Sequence, residues 1–233
     1  GESFLVTLFW ETKQESKSNN NELSLVLVDD SGELVQRWSI PPVRFDYPPS
    51  DWPKGVVFRG QHALQLDPGL DSGLYTYRLE GADLGRVRVG ELERLFDQPN
   101  YDDEIDANFD NLAEMIGLTI DTDEFDQAGP ISVTIVWRGL AEMPISYRVF
   151  VHLVNGVGDI VAQSDGVPAG WTRPTTGWLP GEYVVDPHVL GPLYLEQGEE
   201  YALRIGLYDP ATGTRLTSSG EEFIIHRLEN INR

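Results

Sequence analysis

The 233-residue chain has no cysteine and no run of about 18 apolar residues, and it is poor in positive charge. The first absence excludes disulfides, thiolate metal centres and thiol catalysis, while leaving the redox compartment open. The second gives no membrane-spanning helix and no direct membrane insertion by this chain. The N-terminus also lacks the basic-then-apolar layout of a signal peptide. Gly1-Glu2-Ser3 run almost directly into a strand pattern, so the expectation is a fragment of a longer protein.

Lys and Arg number 17 against 38 Asp and Glu, a formal net charge of −21. Residues 96–129 hold no basic side chain and 11 acidic ones, about half of the imbalance. Such a field repels nucleic acid and anionic bilayers, and beyond that it serves solubility. Catalytic signatures are missing as well. His62, His152, His188 and His226 show no metal-type spacing, and neither a phosphate loop nor a G-x-S-x-G elbow occurs. No carboxylate pair sits where its pKa would be raised for glycosidic work. The chain is therefore read as a non-enzyme without cofactors.

What is present is β-rich. Val6, Leu8 and Trp10 alternate with Leu5, Thr7 and Phe9, and short alternating stretches recur every 8–12 residues between Gly, Pro and Asp punctuation. The proline-rich segment Pro41–Pro53 cannot be a central strand, because proline has no ladder donor, and reads as a crossing loop. The order of stretches then repeats. Pro48, Trp52 and Gly55 each have a twin 126 residues later in Pro174, Trp178 and Gly181, and Val6–Trp10 resembles Val133–Trp137. The fold class expected is all-β: two tandem β-sandwiches, Ig-like Greek-key or jelly-roll-like, related by internal duplication. Residues 1–95 form the first, 96–111 an acidic linker and 112–233 the second. Leu112–Ile120 reads either as a leading strand or as a short helix.

Two constellations carry candidate chemistry. Trp171, Arg173 and Trp178, with Asp165 and Asp186 near in sequence, make an aromatic platform flanked by charge. A ring face stacks on sugar C–H groups while charged groups read hydroxyls, so a glycan or glycolipid is the expected ligand. The competing reading has the repeated pair, Trp52 and Trp178, plugging the two cores, and it is preferred for that pair; Trp171, opposite Phe45 in the first copy, is the better binding residue. Asp102, Asp103, Glu104 and Asp106 offer oxygen ligands for weak calcium binding. The EF-hand spacing is not met, however, since Ala107 and Ala113 occupy the positions of its glycine and last glutamate, and a solvated linker is preferred.

The run Ile131–Leu216 resembles the soluble extracytoplasmic tails of bacterial polyprenyl-phosphate-sugar-dependent membrane glycosyltransferases. The residues that carry the likeness are Val133–Trp137, Tyr147–Leu153, Ala162–Asp165, Pro174–Trp178, Gly181-Glu182 and Gly206–Leu216. Residues 1–95 share it weakly, lacking the Gly-Glu and the Tyr-Asp-Pro turn. The family's catalytic residues lie in membrane segments absent here, so the resemblance implies a non-catalytic accessory part of a larger cell-surface or membrane protein, outside the cytoplasm. Glycan binding or positioning is the leading expectation; the alternative is a purely structural or protein-protein docking module without a small-molecule ligand, with other domains of the parent protein among its partners.

Overall fold

The computed structural model describes residues 3–13, 21–121, 128–195 and 199–228. It divides into two compact units, Gly1–Glu93 and Arg94–Arg233. The first holds β1 (Ser3–Glu11), β2 (Leu23–Val28), β3 (Leu34–Ile40), β4 (Val57–Gln65), β5 (Gly73–Leu79) and β6 (Ala82–Val89). One sheet runs β3-β2-β5-β6 and the other is the pair β1-β4. Alternation explains the packing. Phe4, Val6 and Leu8 face the side on which Leu25, Ile40 and Leu64 are buried, and Ser3, Leu5, Thr7 and Phe9 face out. The turn after β2 closes through the Asp29 carboxylate, which accepts from Ser31 Oγ and the Glu33 N–H, with Gly32 at φ +86°.

The second unit holds β7 (Asp103–Phe109), β8 (Ala113–Asp121), β9 (Ala128–Gly139), β10 (Arg148–Asn155), β11 (Ile160–Gly166), β12 (Tyr183–Tyr194), β13 (Tyr201–Tyr208) and β14 (Ile224–Arg227). Its sheets run β11-β10-β13-β14 and β12-β9-β8-β7, all antiparallel. Val149, Val151, Leu153, Leu203, Ile205 and Leu207 of one sheet meet Ile131, Val133, Ile135, Trp137 and Leu118 of the other, all fully buried. This is a β-sandwich, and the chain is all-β.

The duplication is visible in the strand order. β3-β2-β5-β6 corresponds to β11-β10-β13-β14, and β1-β4 to β9-β12; β7 and β8 are additions to the second copy. The repeated loops share the hydrogen bonds that close their 3-10 turns. Pro48 and Pro174 each enter a 3-10 turn, Pro49–Asp51 and Thr175–Gly177, closed by the N–H of Trp52 or Trp178. In both copies the loop crosses between sheets, as the prolines dictate.

One expectation is corrected, and one open choice is decided. The stretch 96–111 is not simply a linker, because Asp103–Phe109 is an edge strand paired with β8. Ala107 and Phe109 are buried while Asp106 and Asn108 face solvent, so acidic composition concealed a half-buried strand. Leu112–Ile120 carries a strand, not a helix: Ala113–Asp121 pairs on both sides.

Candidate functional site

The loop between β11 and β12 contains all the aromatic and basic candidates. It begins with a four-residue turn, Pro168–Trp171, in which Ala169, Gly170 and Trp171 lie in the left-handed region at φ 53°, 61° and 72°. Glycine is free to adopt this conformation; alanine and tryptophan are strained there by about 1 kcal/mol or more each. The turn is held by the Trp171 N–H on the Val167 carbonyl at 3.0 Å, by Thr172 Oγ1 on the Ala169 carbonyl at 2.6 Å, and by the Ala169 N–H on Asp186 Oδ1 at 2.7 Å. The result is a Trp171 that is 61% exposed. The edge of its indole rests where a side chain at Gly166 would stand, 3.0 Å from that Cβ position, and the Arg148 guanidinium lies 5.2 Å from the ring centre.

The structure separates the other predicted residues from this ring. Trp178 is fully buried in the core of its unit, and Trp52 is buried against Tyr47 and Phe58. Arg173 is not a free reader of hydroxyls: it pairs with Glu182, which is fully buried and is also bound by Arg94 and by the Leu179 N–H at 2.9 Å. Asp186 is buried too, so it supports the turn from below and presents nothing to a ligand. Asp165 points to the outer face of its sheet, 3.2 Å from His152 Nε2. Asp102, Asp103, Glu104 and Asp106 do not converge either. They lie on and beside β7, where extended geometry spreads successive side chains, and no group of three metal-type ligands occurs among the described residues.

Sequence reasoning missed three partners. Arg148 opens β10 and reaches Trp171 only because β10 pairs with β11. Ser164 Oγ lies 3.0 Å from His188 Nδ1, and His188 Nε2 lies 3.0 Å from Asp186 Oδ2. A hydroxyl, an imidazole and a carboxylate in series is the connectivity of a nucleophilic triad. Here the carboxylate also takes Trp137 Nε1 at 3.2 Å and the Ala169 N–H, and Asp186 and His188 are both buried between β11 and β12. The series is a polar seam joining the edge strands of two sheets and anchoring the Trp171 turn. Its signal was the Asp-x-His spacing, since period two places both side chains inward between Val184 and Leu190.

Position 45 of the first copy corresponds to position 171. Phe45 is 67% exposed, with its flanking residues Arg44 and Asp46 ion-paired at 2.6 Å. The Arg44 hydrogen bond holds the Asp46 carboxyl below its ordinary value. Asn21 Nδ2 donates to the Arg44 and Phe45 carbonyls and ties the loop down. Each copy therefore turns one aromatic side chain into solvent from the same place.

Among the described residues no helix is long and apolar enough to cross a membrane. No protein-family model and no curated protein matches the sequence. Weak likenesses occur among solved structures. A glycosyl hydrolase family 2 member from Bacteroides cellulosilyticus is matched at TM-score 0.32 and 10% identity, over 97% of this chain and 28% of that one. Ruminococcus gnavus β-glucuronidase follows at 0.27 and 10%, over 97% and 35%, and Lactobacillus rhamnosus β-glucuronidase at 0.24 and 11%, also over 97% and 35%. The chain spans about a third of the length of these proteins, and at such TM-scores the likeness carries no inference about function.

Proposed function

We propose that this chain is a non-catalytic pair of β-sandwich units that binds glycan through the exposed ring of Trp171, with Phe45 as the corresponding contact in the first copy. The observation that carries this reading is the exposure of an aromatic side chain at the same loop position in both copies. An aromatic that is buried at the same place in both copies serves packing; one that is exposed there in both copies fills no core and leaves ring face open to a ligand. The strained backbone under Trp171 adds support, since such strain is found where a side chain must be aimed. Sugar C–H groups stack on the open part of the indole, and Arg148 donates hydrogen bonds to hydroxyl or carboxylate groups beside it. On this reading the chain is an accessory part of a larger cell-surface or membrane protein outside the cytoplasm, as the sequence resemblance to glycosyltransferase tails implies.

The test is a glycan-array screen followed by calorimetry on the intact chain. Binding to a defined glycan is expected, abolished in Trp171→Ala and weakened in Phe45→Ala and Arg148→Ala. Absence of binding across the array, or full affinity in Trp171→Ala, overturns the reading.

A further inference from the structure

In the second unit β9 is paired on both sides, by β12 and by β8. Its counterpart β1 is paired only by β4 among the described residues, so one edge of β1 is open where the other copy has it filled. Open edges are normally guarded by lysine, proline, a bulge or short length. β1 has none of these. It is nine residues long, contains no proline or lysine, and runs from Ser3 opposite Gln65 to Glu11 opposite Val57 without a register shift. Its outward side chains Leu5 and Phe9 are 62% and 68% exposed.

We propose that this edge is an association surface and that its occupant is β1 of a second copy of the chain. The strand is self-complementary. Antiparallel pairing centred on Thr7 sets Leu5 opposite the second copy's Phe9 on the outer face and Val6 opposite the second copy's Leu8 on the inner face, with Ser3 opposite Glu11 at the ends. A slip of one residue sets inward against outward side chains. A slip of two sets Leu5 opposite a Thr7 or a Glu11 and loses the Leu–Phe contact. The centred register alone covers both exposed apolar residues in each copy, in the isologous manner of a two-fold dimer. It also makes a continuous sheet β4-β1-β1-β4, with as many strands as β12-β9-β8-β7. Charge opposes it little, because residues 1–93 hold 9 basic and 15 acidic side chains, a net −6 of the chain's −21.

The cysteine-free chain makes the register directly testable. Thr7→Cys places one thiol per chain at the two-fold axis, where facing Cβ atoms are about 5 Å apart. A short bismaleimide is expected to give a covalent dimer with this variant and none with Val157→Cys, an exposed position in the second unit. Sedimentation equilibrium of the unmodified chain is expected to show a concentration-dependent dimer, weakened about tenfold or more in Leu5→Lys/Phe9→Lys. Both side chains point outward, so circular dichroism of that variant stays native. A chain that is monomeric throughout the micromolar range, a dimer indifferent to the double lysine variant, or Thr7→Cys that does not cross-link overturns the proposal.

Discussion

Trp178 donates its indole N–H to the carbonyl oxygen of Arg173 at 3.1 Å, and Trp52 donates to Tyr47 at the same 3.1 Å. In each case the indole reaches back five residues and staples the turn that precedes it, and Trp178 is a core filler as well as a loop clasp. Truncating Trp178→Ala should cost about 3–5 kcal/mol, the range for a large buried aromatic. Trp178→Phe keeps most of the volume but leaves the Arg173 carbonyl without its donor, at about 1–3 kcal/mol. Urea unfolding monitored by circular dichroism measures both, and a loss below about 1 kcal/mol for the alanine variant would show that the clasp is dispensable.

Glu182 is the counter-ion of two arginines, neither of which is fully exposed. Glu182→Ala leaves both cations in place without their carboxylate, and a loss of about 3–5 kcal/mol is expected. Arg173→Ala should cost less, because Arg94 still neutralises the carboxylate. If the two variants prove equally destabilised in denaturant titrations, the shared-anion arrangement is wrong.

Trp171 should behave in the opposite way. With most of its surface in water and its backbone strained, Trp171→Ala should change unfolding free energy by no more than about 0.5 kcal/mol, as for other exposed positions. Loss of glycan binding in that variant then reports on the site and not on folding. Destabilisation comparable to that of Trp178→Ala would instead make Trp171 a packing residue.

Asp209 opens the turn after β13, where its carboxylate accepts from the Ala211 N–H and from Thr212 Oγ1. These hydrogen bonds, the backbone one first, hold its pKa below the ordinary 3.8. A carboxyl whose folded pKa is depressed contributes stability that is present above its unfolded value and is lost as pH falls through the folded one. The stability difference between the native chain and Asp209→Ala should therefore be constant at neutral pH and shrink below about pH 4. Denaturant titrations across that range check the sign, and a difference that grows on acidification would contradict it.

Much of the fold was legible because period two is a local signal. Leu25, Val151 and Leu203 each sit in an alternating run that reads as a strand without knowledge of its partner. β7 escaped because charge was weighed before spacing: Ile105, Ala107 and Phe109 alternate just as clearly, with Asp106 and Asn108 between them. The site was less legible. That Trp171 faces out while Trp178 faces in depends on three left-handed residues and one long-range hydrogen bond to Asp186, none of which leaves a mark on composition. Arg148 is 23 residues from Trp171 in sequence, and only strand pairing brings the two together.

Position 186 of the second copy corresponds to position 60 of the first, where the residue is glycine. A Cβ at Gly60 would lie 2.0 Å from the Pro42 carbonyl oxygen, a backbone atom that cannot swing aside. No single substitution can therefore give the first copy an acidic residue there without shifting the backbone around Pro42. The two halves have lost interchangeability at this point: the Trp171 turn is braced from a buried carboxylate and the Phe45 loop from the Asn21 amide, so the repeat carries two differently anchored arms.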